Sequence, residues 1–151
     1  MPTTAAKTAP KLPVLWVAAC ALIDPDGRVL VTSRPEGKCH AGLWEFPGGK
    51  IEPGERPEET LVRELYEELS IEACRDCMEP LAFASHAYAD FHLVMPTFVC
   101  RQWDGLVRPT EGQRTAWKFA DEIVRMELVP ADVPLAQQLA ARLPRGQRFL
   151  R

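Results

Sequence analysis

Glu64, Glu67 and Glu68 stand at spacings of three and four in RELYEEL, so on a helix they share one side. Like charges so placed repel by a few tenths of a kcal/mol per pair. At about 100° per residue, with Glu64 at zero, Glu68 falls near 40°, Glu67 near −60°, and Leu61, Val62, Leu65 and Leu69 between about 60° and 160°. The acidic arc therefore borders the apolar arc. Only Arg63 offers a flanking cation. Either these glutamates form a solvated face, as most charged stripes do, or they bind a hard divalent cation, Mg²⁺ or Mn²⁺, which prefers carboxylate oxygens.

The preceding segment, GGKIEPGE (48 to 55), places three glycines and a proline where a strand would hand over to that helix, with Lys50 adding positive charge. Such a loop allows backbone groups to approach a ligand closely. Pro57 suits a first helical position, Glu58 and Glu59 favour the positive helix end, and strong helix formers continue to Leu69.

The elements that must hold this unit read mainly as strands. VLWVAACALI (14 to 23) is a continuous apolar run suited to a strand buried on both faces, DPDG a turn, and RVLVTSR (28 to 34) the strand returning from it. FASHAYADFHLVMPTFVCRQW (83 to 103) contains two strand-like pieces around a turn near Ala89 and Asp90, with Pro96 pointing to an edge or a bulge. Trp117 and Phe119 share a further short strand, and PADVPLAQQLAARL (130 to 143) is a helix with Leu135, Leu139 and Leu143 on one stripe. The expected α/β fold is one sheet with a helix on each side, a single domain at 13–144 between a disordered tail (1–12) and a short C-terminal tail (145–151).

A length of 151 residues, 26% charged and 46% apolar, suits one soluble globular domain. The net charge of −3 argues against stable nucleic-acid binding. No apolar run is long enough to span a membrane, and the start lacks a secretory signal, so a cytoplasmic location is expected. Five cysteines at irregular spacings suggest no disulfide framework; Cys74 and Cys77, a single CxxC without a second pair, are read as buried or half-buried thiols.

Taken together, Gly49, Glu55, Arg63, Glu64, Leu65, Glu67, Glu68 and Ile71 fill eight of the nine specified positions in a segment that resembles the Nudix hydrolase signature. The departure is Ser70, where the family has Gly in a left-handed helix exit; Ser can be held there at a cost of order 1 kcal/mol. WEFPGGK, EGQ (111 to 113), Trp117 and PADVPL resemble the MutT type of the family, and the similarity runs from about residue 14 to residue 143.

The resemblance implies an α/β/α sandwich with a mixed central sheet, a catalytic loop–helix–loop and a C-terminal helix. It implies a metal site made of the Gly48 carbonyl, Glu64, Glu67, Glu68 and Glu111, holding Mg²⁺ with Mn²⁺ as substitute. Glu64 or Glu67 would accept a proton from water, Glu111 sharing that role, while Gly49, Glu55 and Arg63 organise loop and helix. The implied reaction is hydrolysis of a (deoxy)nucleoside triphosphate to the monophosphate and pyrophosphate, by a monomer or weak dimer. The expected substrates are oxidised purine nucleotides such as 8-oxo-dGTP; the alternatives are CTP or dCTP, including the 5-methyl form, or a non-catalytic Nudix-like binding domain. Asp132 stands where the type reads the base, and is either that reader or a helix N-cap. Arg34 is either a nucleotide contact or a strand-end surface arginine, and Phe46 either lines the base pocket or packs in the core. Lys50 is a further candidate contact.

Overall fold

The computed structural model describes residues 11–145, so the expected tails at 1–12 and 145–151 lie outside it except for residues 11, 12 and 145. Strand β1 (Val14–Leu22) sits between β4 (Gly48–Lys50), which pairs with it antiparallel, and β7 (His92–Cys100), which pairs with it parallel. Strand β6 (Glu79–Ala87) adds antiparallel to β7 and completes a mixed sheet in the order β4-β1-β7-β6. A second sheet joins β3 (Trp44–Glu45), β2 (Val29–Ser33) and β9 (Thr115–Lys118), and β5 (Glu72–Ala73) pairs with β8 (Trp103–Asp104).

Alternation along β1 divides the core in two. Ala18, Cys20 and Leu22 pack with Leu61, Leu65 and Leu69 of helix α1 (Pro57–Leu69), whereas Ala19, Ala21 and Ile23 pack with Leu135, Ala136 and Leu139 of helix α3 (Val133–Arg142). This is the expected mixed α/β arrangement with a helix on each side. Helix α1 covers only the second half of β1: Val14 and Trp16 are exposed, so the expected two-sided burial holds from Ala18 onward.

Several expectations are corrected. Strand β2 does not return alongside β1, because both edges of β1 are occupied by β4 and β7; after the Asp24 turn the chain crosses to the second sheet, and one bridge, Ile23↔Val29, marks the departure. Pro96 lies in an interior strand. Pairing of β7 with β1 passes from Trp16↔Val94 to Ala19↔Thr97, leaving the ladder open where proline has no N–H to give. The irregularity expected there lies on β6, between Pro80 and Ala82. Strand β9 stops at Lys118, and Phe119 precedes the short helix α2 (Ala120–Ile123). A 3-10 turn at Pro130–Asp132 precedes α3, so the expected C-terminal helix begins at Val133. Cys74 and Cys77 are half-buried as read, yet they form a disulfide instead of standing as thiols.

Helix α1 ends as the resemblance implied: Ser70 adopts φ 61°, ψ 28°, and its N–H donates to the Tyr66 carbonyl. A Cβ pays for this conformation, so Ser70→Gly is expected to raise stability by up to about 1 kcal/mol in thermal unfolding. The disulfide closes a very short loop, and the chain-entropy relation then gives about 2 kcal/mol at most. Replacing Cys74 and Cys77 together by Ser should therefore lower Tm by only several degrees; a loss of folding at ambient temperature would show that the bridge does more than restrict the unfolded chain.

Candidate active site: the glutamate helix and its loops

Two glycines permit the close approach of strand, loop and helix. A Cβ on Gly48 would lie 2.0 Å from the Ala18 carbonyl oxygen, and one on Gly49 would lie 2.3 Å from the Glu64 carboxyl carbon. Glu64 thus packs its carboxyl against bare backbone. Its Oε1 accepts from Arg63 Nη1 at 2.8 Å.

Arg63 has a larger task than flanking the acidic arc. Its Nε and Nη2 donate to Glu55 Oε2 and Oε1, both at 2.9 Å, and Nη2 also donates to the Lys50 carbonyl at 3.1 Å. Glu55 accepts further from the Glu52 N–H and the Thr60 hydroxyl. The guanidinium fork, followed by that N–H, holds the Glu55 carboxyl down to about 2, and the two carboxylates raise the guanidinium in return. One arginine therefore ties strand β4, the 51–56 loop and α1 together. The Lys50 side chain itself is exposed and makes no ion pair among the described residues.

The C-terminal carbonyls of a helix lack internal partners. In α1 they are met by the chain that follows β8. Arg108 N–H donates to the Leu69 carbonyl, Thr110 N–H and Gln113 Nε2 donate to that of Glu68, and Thr110 Oγ1 donates to that of Glu67 at 2.6 Å. Gln113 Oε1 also accepts from the Glu111 N–H. Glu111 is thereby fixed beside the end of the glutamate helix, although it is over forty residues away in sequence.

The Glu68 carboxyl is pushed well above the usual range by burial, then by the neighbouring carboxyl of Glu64 and the negative charges of Glu111 and Glu45. Glu67 is 58% exposed and reaches Arg63 Nη1 at 3.7 Å, while Glu111 Oε2 lies 3.6 Å from Lys38 Nζ. Among the described residues no three His, Cys, Asp or Glu side chains are gathered into a metal-holding group. The donor set nonetheless suits a hard divalent cation, because the crowding of negative charge that raises Glu68 is relieved also by a bound cation.

Glu45, one residue before Phe46, escaped notice in the sequence. It is half-buried, faces Arg34 Nη1 at 3.6 Å, and its carboxyl is raised by burial and lowered in part by Arg34 and Lys38. Its only signal was its place inside WEFPGGK. Arg34 also donates from Nε to the Cys39 carbonyl. Phe46 is 4% exposed and belongs to the α3-side core, and its N–H donates to Asp132 Oδ2 at 2.8 Å. Asp132 stands at the N-cap position of α3 but makes no side-chain capping bond. Burial pushes its carboxyl up to about 7, Glu45 adding to the rise while the Phe46 N–H and Arg34 oppose it.

The Nudix domain family model matches residues 14–145. A CTP pyrophosphohydrolase of Escherichia coli is 36% identical over 121 residues, covering 80% of this chain and 88% of its own. An 8-oxo-dGTP diphosphatase of the same organism is 30% identical over 126 residues, covering 83% and 95%. Among solved structures, the solution structure of the E. coli ORF135 protein aligns with TM-score 0.77 at 34% identity over 91% of this chain and 96% of that one. A structure of MutT from work on Aliivibrio salmonicida and Vibrio cholerae aligns with TM-score 0.70 at 30% identity, covering 85% and 98%. Since the family match takes in β1, the glycine loop, the glutamate helix and α3 in one continuous span, the chain belongs to the Nudix family of hydrolases.

Proposed function

We propose that this enzyme hydrolyses (deoxy)nucleoside triphosphates to the monophosphate and pyrophosphate with Mg²⁺, and that its leading substrates are oxidised purine nucleotides such as 8-oxo-dGTP. The observation that carries the reading is the Glu64 carboxyl seated against Gly49 on the same helix face as Glu68, with Glu111 tied to the end of that helix through Gln113. Glu64, Glu67, Glu68, Glu111 and the Gly48 carbonyl would hold the metal, with Mn²⁺ able to substitute. Such an ion supplies charge neutralisation at the phosphates and a lowered pKa for a bound water. Glu67, the most exposed acid of α1 and only loosely engaged by Arg63, takes the proton of the attacking water. Glu55 and Arg63 keep the loop and helix in register, so their effect on chemistry passes through Glu64.

Recognition of the base rests on Asp132 beside Arg34, with the buried Phe46 anchoring the carboxyl through its N–H. A protonated Asp132 can donate as well as accept, which suits the mixed edge of oxidised guanine; an ionised one only accepts, which suits the exocyclic amine of cytosine. The second reading, hydrolysis of CTP or dCTP, is favoured by the ionised form and by the similarity to a CTP pyrophosphohydrolase. The 8-oxo-dGTP diphosphatase relatives support the first reading.

Glu64→Gln should reduce kcat by roughly a hundredfold or more in a pyrophosphate-release assay while leaving Tm near that of the parent. Gly49→Ala should approach the same loss, because its Cβ displaces the Glu64 carboxyl; near-normal turnover in either would sink the metal-site assignment. For the base, the ratio of kcat/KM for 8-oxo-dGTP over CTP is expected to fall as pH rises through about 7, where Asp132 gives up its proton. Asp132→Asn should flatten that dependence. The same shift has a stability counterpart: a carboxyl whose folded pKa is raised disfavours the folded state increasingly between its unfolded value, about 4, and about 7. Asp132→Asn should thus gain stability over the parent more at pH 8 than at pH 5, and equal Tm differences at both would contradict it.

A further inference from the structure

A cavity of about 490 Å³ opens between the 35–42 loop and the 111–114 segment, its lining including Ser33, Arg34, Glu36, Glu111 and Arg114. Three cations stand in or around it, and their partners differ. Arg34 is answered by Glu45 and by the Cys39 carbonyl, and Lys38 by Glu111. Arg114 has no carboxylate within ion-pair distance among the described residues; its guanidinium lies 5.0 Å from the centre of the Trp44 ring.

The backbone at Arg114 is held on both sides. Its N–H donates to Ser33 Oγ at 2.9 Å, and its carbonyl accepts from the Ser33 N–H at 2.9 Å. A guanidinium with an aromatic ring on one face keeps its edge donors available, and that edge matches two oxygens of a phosphate. Glu36 and Glu111 share the same cavity, so an anion without accompanying cations would meet repulsion there. A phosphate chain arriving with a divalent ion would not.

Position along the cleft indicates which part of a nucleotide reaches Arg114. Asp132 accepts from the N–H of Phe46, the preceding residue Glu45 faces Arg34 at 3.6 Å, and Arg34 lines the cavity together with Glu111 and Arg114. The contacts thus lead from Asp132 through Glu45 and Arg34 to the cavity that holds Glu111 and Arg114. A substrate with its base at Asp132 and its reacting phosphorus near the glutamates extends its terminal phosphates toward Arg114.

We propose that Arg114, stacked on Trp44, binds the terminal phosphates of the substrate and makes the enzyme prefer nucleoside triphosphates to diphosphates. This inference rests on the nucleoside triphosphate reading above. Loss of one charge-assisted contact to phosphate is on the order of tenfold in affinity.

The test compares the parent with Arg114→Ala and Arg114→Lys on 8-oxo-dGTP, CTP and their diphosphates, and separately measures inorganic tripolyphosphate binding with Mg²⁺ by calorimetry. Arg114→Ala is expected to raise KM for the triphosphates about tenfold, with a smaller change in kcat and little change in KM for the diphosphates. Its tripolyphosphate Kd should weaken by a similar factor, and Lys should restore part of both. Equal effects on tri- and diphosphates, or an unchanged tripolyphosphate Kd, would overturn the assignment, and a fall in Tm alone would reduce Arg114 to a cover for Trp44. A parent that hydrolyses none of the nucleotides would refute the functional reading instead; the calorimetric arm would still decide whether Arg114 holds the polyphosphate.

Discussion

A carboxyl group packed against bare backbone is the constraint on which the site depends. Glu64 occupies the volume that any side chain at residue 49 would need, and Gly48 comes equally close to the Ala18 carbonyl. The Glu64 contact could not survive on its own, because a carboxylate at a core margin loses hydration. Arg63 supplies the offsetting charge. By forking to Glu55 while touching Glu64, it makes the position of the acidic helix depend on the loop before it. The glycines set how near the strand and helix can stand, and the arginine sets their register.

The far end of α1 solves a different problem with the same economy. Its last carbonyls need donors, and the segment 108–113 provides them. The same hydrogen bonds that complete the helix also carry Glu111 to the acidic cluster. Backbone satisfaction and site assembly are thus one structural event, and the left-handed Ser70 is the bend that leaves room for it.

The parts legible in the sequence were those encoded locally. Helix α1 declared itself through Pro57, the acidic first turn and the leucine stripe, and Ser70 was recognisable as a strained exit because its position called for glycine. Local patterns could not name lateral neighbours. Nothing in RVLVTSR says that the edge of β1 is already taken, and Pro96 looks like an edge signal unless the pairing of β7 is known. The same limit applied to the site: Glu45 reads as one more charged residue until the fold sets it beside Arg34, Lys38 and Glu111. Cys74 and Cys77 followed an irregular cysteine pattern, yet a single 3-10 turn brings their Cα atoms within 5.2 Å. Asp132 shows both sides, since its helix-start position was legible and its bond to Phe46, 86 residues away, was not.

The parallel pairing of β1 with β7 carries a consequence for the order in which the chain acquires its structure. Val14 lies opposite His92, and the glycine loop and glutamate helix fall wholly within the intervening chain. During synthesis from the N-terminus, β1, β4 and α1 emerge before the strand that covers the second edge of β1. Closing so long a loop is entropically costly, so this pairing belongs to the slow part of folding. Until then the apolar run at 14–23 offers an unpaired edge, and nascent chains of this length are open to association with one another or to capture by chaperones.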